Sequence, residues 1–363
     1  MPTLVCVQLS LVYTKTLLRM LRLTALPYLI LLSSYMPAQP PTKLLSDPIF
    51  DIKGLAVGQA TDTVGATGCT VLLFEQGATV GADVRGAAPG TRELALLEPG
   101  NLVEQVHAIV LAGGSAYGLS TMSGVARWLE EQDIGYETGV AKVPIVCGAV
   151  LFDLAIGEAS ARPDADMGYR AAASANRMRI QEGNHGAGTG ATIGKARSME
   201  YAVKGGLGVA TLRYDNGLVV SAIVAVNALG DVYHNDTLIA GMLNDDKTGY
   251  TSTEAYILNG YRTEVFPGSN TTLGVIVTNA TLTKAEARKL AQTTHDAYGR
   301  CIRPTHTLYD GDIIFAAATG EVAFNDRLFL TVAANVAMQE AILRAVTTAK
   351  TLHGVPATEE VHK

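Results

Sequence analysis

Two hydroxyls, Thr271 and Thr272, stand where the turn formers Gly268, Ser269 and Asn270 hand over to the apolar, largely β-branched run Leu273 to Val277. Amide hydrolysis by a threonine needs a base for the hydroxyl proton and a donor for the developing oxyanion. A threonine at a chain N-terminus carries its own base, because an α-amine titrates at about 7.7–8.0. An internal threonine reaches that state only if the bond before it is broken by its own hydroxyl. A strained turn feeding a rigid strand suits such a bond. Two plainer readings stay open: a hairpin with a threonine cap, and an N-T-T glycosylation sequon in an exported protein.

Other candidates are weaker. "GGSAYG", Gly113 to Gly118, follows a strand and opens a helix, but Tyr117 occupies the place of the small residue that a nucleophile elbow needs after Ser115. The loop ending "GATIGKA" departs from a phosphate loop at Thr189 and Ala196. The histidines form no zinc spacing. Asp164/Asp166 and Asp310/Asp312 could each meet a cation, yet neither pair sits in a full calcium loop. No metal or other cofactor is implied.

The elements that must hold these residues alternate strand and helix from Asp51 onward. "CTVLLF", "GATVGADVRG", "VHAIVLAGG", "PIVCGAVLFDL" and "GLVVSAIVAVNALG" read as strands. "SAYGLSTMSGVARWLEEQ" has helical spacing, and "PDADMGYRAAASANR" reads as a helix ending before a glycine-rich loop. His234 to Asn270 is polar and loop-like. Beyond it, Thr283 and Glu286 make a capping box for a helix to about Tyr298, "DIIFAAAT" a strand, and Asp326 to about Ala349 a long helix. Strands apolar on both faces predict a layered α/β protein with helices covering the sheets.

The chain has 363 residues, 48% hydrophobic and only 17% charged, enough for a large core. A formal net charge of -6 argues against a nucleic-acid partner. The four cysteines, Cys6, Cys69, Cys147 and Cys301, form no C-x-x-C pair and read as free thiols of a reducing compartment. Lys15, Arg19 and Arg22 before the apolar Leu23–Leu32 resemble a secretory signal, but Met36 spoils the cleavage pattern. That run is too short for stable membrane insertion. Residues 1–44 are therefore set outside the fold, as a signal or an extension from a mis-assigned start. The expected location is cytoplasmic, or exported if residues 1–38 are a real signal.

Five stretches together carry a resemblance: "GATGCTVLLF", "AGGSAYGL", "GAGTGATIGK", "SNTTLGVIVTNATLT" and "PTHTLYDGDIIFA". In order and separation they resemble the self-processing D-aminopeptidase/β-aminopeptidyl-peptidase family, most of all its 6-aminohexanoate (nylon) oligomer hydrolase branch. The resemblance spans Asp51 to the C-terminus. It implies cleavage between Asn270 and Thr271, with Thr271 as nucleophile. It further implies Lys195 as the active-site lysine, Asn227 as an oxyanion donor, and Asp310 with Asp312 as paired carboxylates. Where that branch has a tyrosine, this chain has Phe152, which implies a changed rate or substrate preference.

The same resemblance implies a four-layer αββα sandwich of the N-terminal-nucleophile type. It implies one catalytic domain, 45–363, cut into 45–270 and 271–363, whose processed units self-associate as a tetramer. The expected substrates are linear amides such as 6-aminohexanoate oligomers or, alternatively, short peptides with a free amine. An unprocessed small-molecule binding module is the reading from another class.

Overall fold

Long apolar runs that leave no room for a polar face become the innermost strands. The computed structural model describes residues 43–45, 52–262 and 268–361. The signal-like run Leu23–Leu32, Cys6 and Pro267 lie outside the described residues. Ten strands make up the main sheet system: β1 Lys43–Leu45, β2 Leu55–Asp62, β3 Thr67–Val84, β4 Gly90–Arg92, β5 Val106–Ala112, β6 Val146–Val150, β7 Gly206–Arg213, β8 Val219–Asn227, β9 Thr271–Ala280 and β10 Ile313–Val322. Every residue of β8 and of β9 is buried. Because Lys43–Leu45 already pairs with β7, the sheet reaches back past residue 45.

The hydrogen-bonded order is β1-β7-β8-β9-β10-β3-β5-β6-β4, with β2 beside β3. The expected pair of strands "CTVLLF" and "GATVGADVRG" is one strand of 18 residues, β3. Its first half pairs with β2 and β5, and its second half with β10. A register shift between Leu73 and Ala78, around Gly77 at φ +75°, lets one strand serve both. The long system therefore folds into two facing sheets joined by β3.

Helices α1 (Thr121–Glu131), α2 (Ala165–Ala173), α3 (Lys284–Cys301) and α4 (Arg327–Thr347) cover the outer faces. Between the sheets, Leu72, Phe74 and Ile109 meet Ile223, Val275 and Phe315. Met122, Val125 and Met167 of α1 and α2 pack on Val71 and Val110. Leu290, Tyr298, Met338 and Ile342 of α3 and α4 pack on Val224, Ile276 and Ile314. Helix, sheet, sheet, helix is the four-layer αββα order. Helix α4 is long and apolar enough to cross a membrane by composition, but here it is a core helix against β7 and β8.

The polar stretch after His234 is more ordered than its composition suggests. Thr237–Ala240 pairs with Asp231–His234, which also pairs with Ile302–Arg303, and Thr253–Leu258 is a short helix. The anchor is Asp231, fully buried, which accepts from Met242 N (2.9 Å), Thr253 N (2.6 Å) and Thr253 Oγ1 (2.7 Å). One buried carboxylate bonded by three donors adds to the apolar contacts of Ala240, Met242 and Leu243.

The capping box forms as expected. Thr283 and Glu286 bond each other's backbone, and Glu286 Oε1 also accepts from Arg327 Nε at 2.8 Å, tying the starts of α3 and α4. Arg327 first, then the Thr283 N–H, hold the Glu286 carboxyl down to about 2. A depressed carboxylate contributes stability above its unfolded value, and that contribution is lost as pH falls toward the folded one. Thr283→Ala is expected to cost about 1 kcal/mol in thermal unfolding at neutral pH. Glu286→Gln should also destabilise, by an amount that shrinks as pH is lowered toward about 2; a penalty independent of pH would contradict this account.

Candidate active site

Strand register assembles the site. Thr271, the first residue of β9, lies opposite Asn227, the last residue of β8. On its other side β9 runs parallel to β10, and Asn270 bridges to Asp310 just ahead of that strand. Thr271, Asn227, Asp310 and Asp312 therefore share one end of two adjoining strand pairs. Lys195 arrives from the glycine-rich loop, whose backbone meets the same end through Gly194 N to Gly230 O (3.2 Å) and Lys195 N to Leu229 O (3.2 Å). The structure thus brings together all the residues singled out at the Asn270–Thr271 junction.

The peptide bond between Asn270 and Thr271 has a distinctive environment. Its carbonyl oxygen accepts the Gly311 N–H at 2.8 Å and the Thr271 hydroxyl at 2.5 Å. Gly311 can be nothing larger: a Cβ there would stand 2.7 Å from both Thr271 Oγ1 and Ala88 O. Besides the Thr271 hydroxyl, the donor on this carbonyl in the continuous chain is the Gly311 backbone, not the Asn227 amide. The Asn227 amide serves the neighbouring residues instead. Its Nδ2 donates to Phe152 O (2.9 Å) and, more weakly, to Ser269 O (3.5 Å). Its Oδ1 accepts Thr192 N (3.0 Å) and Lys195 Nζ (2.9 Å).

Lys195 is 2% exposed, and its ammonium also donates to Asn227 O and Ser269 O, both at 3.2 Å. Burial lowers its proton affinity to about 7; Asp310 and Asp153 oppose that shift, and Lys204 reinforces it. The two aspartates diverge. Burial, then the charge of Asp312, pushes Asp310 up to about 6, against the donors of Thr307 and the charge of Lys195. Burial alone would raise Asp312 as well, but hydrogen bonds outweigh it and hold its carboxyl below the usual value. Its Oδ1 accepts Thr272 N (2.7 Å); its Oδ2 accepts Thr305 Oγ1 (3.0 Å), His306 N (3.0 Å) and His306 Nδ1 (2.9 Å). Asp312 is thus a fixed anion gripping the backbone just past Thr271.

A cavity of about 270 Å³ opens beside Lys195 and Ser269. Phe152, Ala155, Ile156 and Met199 give it apolar walls, and Asp153, Thr192 and Lys195 its polar points. Phe152 thus lines the cavity and, through its carbonyl, accepts from Asn227 Nδ2. The set-aside candidates lie elsewhere. Asp164 caps α2 through Met167 N (2.8 Å), and Asp166 pairs with Arg127 at the surface. Ser115 has an elbow-like φ of +53°, but its hydroxyl meets no histidine or carboxylate among the described residues. No described group of three or more His, Cys, Asp or Glu could hold a metal.

Gly311, His306, Asp153 and Lys204 are the members of this neighbourhood that sequence reasoning passed over. A signal existed for the first two, which lie inside "PTHTLYDGDIIFA". His306 holds φ +57°, an unusual backbone for a residue with a Cβ, which aims both its N–H and its ring at Asp312.

The chain is similar to known proteins in both sequence and fold. The sequence pattern of Peptidase family S58 matches residues 47–359. An uncharacterised aminopeptidase of Mycobacterium leprae is 38% identical over 340 residues, covering 85% of this chain and 92% of that one. A 6-aminohexanoate-oligomer endohydrolase of Kocuria is 32% identical over 277 residues, 75% of each chain. Among solved structures, a Burkholderia β-aminopeptidase superposes with a TM-score of 0.66 at 19% identity, covering 89% of this chain and 94% of the other. The L-aminopeptidase D-Ala-esterase/amidase of Ochrobactrum anthropi, described as a variant of the Ntn hydrolase fold, gives 0.66 at 18% identity over 86% and 90%.

The Asp312 anchor generates a direct test. His306→Ala removes a charge-assisted hydrogen bond from a buried carboxylate and is expected to cost about 1.5–3 kcal/mol in denaturant unfolding. His306→Asn, which keeps a short donor, should recover part of that loss; equal stability of the alanine variant and the parent would show that the ring does not hold Asp312.

Proposed function

The chain belongs to peptidase family S58 and is a hydrolase of amide or peptide bonds, and from that premise we propose that it cleaves itself between Asn270 and Thr271 and then works through the freed threonine. The observation that carries this reading is the Thr271 hydroxyl, 2.5 Å from the oxygen of its own preceding carbonyl, which Gly311 N–H already polarises. In the first reaction Thr271 Oγ1 bonds to the Asn270 carbonyl carbon while Lys195, as the free amine, takes the hydroxyl proton. The C–N bond breaks, the proton passes to the new α-amine, and an ester joins Asn270 to Thr271 Oγ1. Water hydrolyses that ester and leaves a carboxylate at Asn270.

In the second reaction the α-amine of Thr271 takes the proton from its own hydroxyl, which attacks the substrate amide. The amine half leaves with that proton, and water releases the acyl half. Gly311 N–H and the Asn227 amide supply the oxyanion donors, and Asp312 keeps the strand start still. These steps use protein groups only. A non-catalytic binding module, the reading from another class, gives way to the hydrolase family.

The substrates we propose are linear amides with an unbranched apolar acyl chain, such as 6-aminohexanoate oligomers. The cavity beside Ser269, walled by Phe152, Ile156 and Met199, suits methylene groups. Short peptides with a free amine form a second reading, supported by the 38% identity to a mycobacterial aminopeptidase. Mass spectrometry of products from 6-aminohexanoate oligomers, β-alanyl amides and α-aminoacyl amides separates the two.

On denaturing gels the purified chain should convert into two fragments, the smaller with Thr271 at its N-terminus, while Thr271→Ala stays a single band of 38.1 kDa. A cut in the alanine variant, or full hydrolytic activity from it, would end the proposal. Because Lys195 acts as the free base, self-cleavage should accelerate as pH rises through about 7. Lys195→Met should remove that dependence along with most of the rate.

A further inference from the structure

Behind the glycine-rich loop lies a second buried lysine that the proposed reaction does not use. Lys204 is 0% exposed, and its Nζ donates to Thr189 O (2.8 Å) and Ala191 O (2.6 Å). Both carbonyls belong to the loop that ends in Lys195. The same pieces are joined through the backbone, since Lys204 lies opposite Thr192 in a two-stranded ladder. Thr192 N–H in turn donates to Asn227 Oδ1, the atom that accepts Lys195 Nζ. A continuous path thus runs from the Lys204 ammonium through the loop backbone to Asn227 and Lys195.

Asp153 is the countercharge. It is 4% exposed, with Thr67 Oγ1 donating to its Oδ2 (2.7 Å) and Gly114 N to its Oδ1 (2.6 Å). Burial pushes its carboxyl up to about 6, and these two donors, with the charge of Lys204, work against that rise and favour the ionised form. Its field acts attractively on both Lys204 and Lys195. The loop passes directly over it: a Cβ on Gly190 would come within 2.6 Å of the Asp153 Cβ. Taking two such groups out of water costs free energy that only hydrogen bonds and nearby opposite charge offset.

From this geometry we infer that Lys204 and Asp153 are a positioning pair: Lys204 clamps the loop that aims Lys195, and the two charges set how readily Lys195 releases its proton. The inference rests on Lys195 being the titrating base of the proposed function. The charged groups acting on Lys195 are Asp310, Lys204 and Asp153. Lys204 drives the proton off, whereas the two carboxylates hold it on. Removing Lys204 and removing Asp153 must therefore shift Lys195 in opposite directions, which a purely structural role for either would not do.

Competitive acetylation of Lys195 by trace acetic anhydride, followed by mass spectrometry of its peptide over a pH series, reads this amine alone. It does so whatever Thr271 does, so failure here is distinct from failure of the threonine mechanism. Asp153→Asn, close in shape, should lower the Lys195 midpoint by about one pH unit, and Lys204→Met should raise it by a similar amount. Unchanged midpoints, or shifts of the same sign, would overturn the pairing. Should Lys204→Met fail to fold, Asp153→Asn decides alone: a midpoint that stays or rises refutes the inference.

Discussion

An ammonium taken out of water governs this site. Lys195 is almost fully buried, and an ion in that position is tolerated only when oxygen acceptors surround it. The chain supplies Asn227 Oδ1, Asn227 O and Ser269 O. Asn227 closes a fully buried strand, and Ser269 sits one residue ahead of the bond beside Thr271. Satisfying the lysine therefore fixes the turn Gly268–Asn270 against the end of β8. The same requirement explains why the loop carrying Lys195 is built from small residues: it must run between Asp153 and the strand ends without side chains in the way.

Much of the fold was readable because burial imposes simple patterns. Strands buried on both faces show as unbroken apolar runs, and β8 and β9 come out where "GLVVSAIVAVNALG" and "TTLGVIV" place them. The capping box at Thr283 was equally legible, since it depends on residues three apart. What could not be read was any feature made by long-range contact. The merging of two expected strands into β3 depends on partners on both sides, β2 and β5 at one end and β10 at the other. The order after His234 rests on Asp231, whose donors come from residues 242 and 253.

The site divides along the same line. Family motifs pointed to Thr271, Lys195, Asn227, Asp310 and Asp312, and register brings these to one end of the sheet. Lys204 and Asp153 carried no motif, because their importance lies in what surrounds them. A lysine in "AVKGG" looks like any surface lysine until its side chain is found with no exposure at all. Gly311 was hidden differently: its contribution is a backbone N–H, and no side-chain pattern announces which amide will face a carbonyl. The role expected of Asn227 is shared for this reason, with its amide bonding Phe152 O and Ser269 O while Gly311 meets the carbonyl of Asn270.

Asp310 and Asp312 show how two identical groups, two positions apart, come to differ. Asp312 collects donors from Thr272, Thr305 and His306, and stays ionised. Asp310 accepts from Thr307 N and Oγ1, but burial and then the charge of Asp312 outweigh them, so it takes up a proton near pH 6. Lys195 gives one up near pH 7. Around neutrality, then, the anchor does not titrate while Asp310 and Lys195 do. Cleavage at Asn270 would add the Thr271 α-amine to the same small volume, beside a lysine cation and two carboxylates. An amine placed there would feel one cation, which disfavours its proton, and two carboxylates, which favour it. A nucleophile that must be a free base at neutral pH needs that balance, and here it comes from groups already required to bury Lys195.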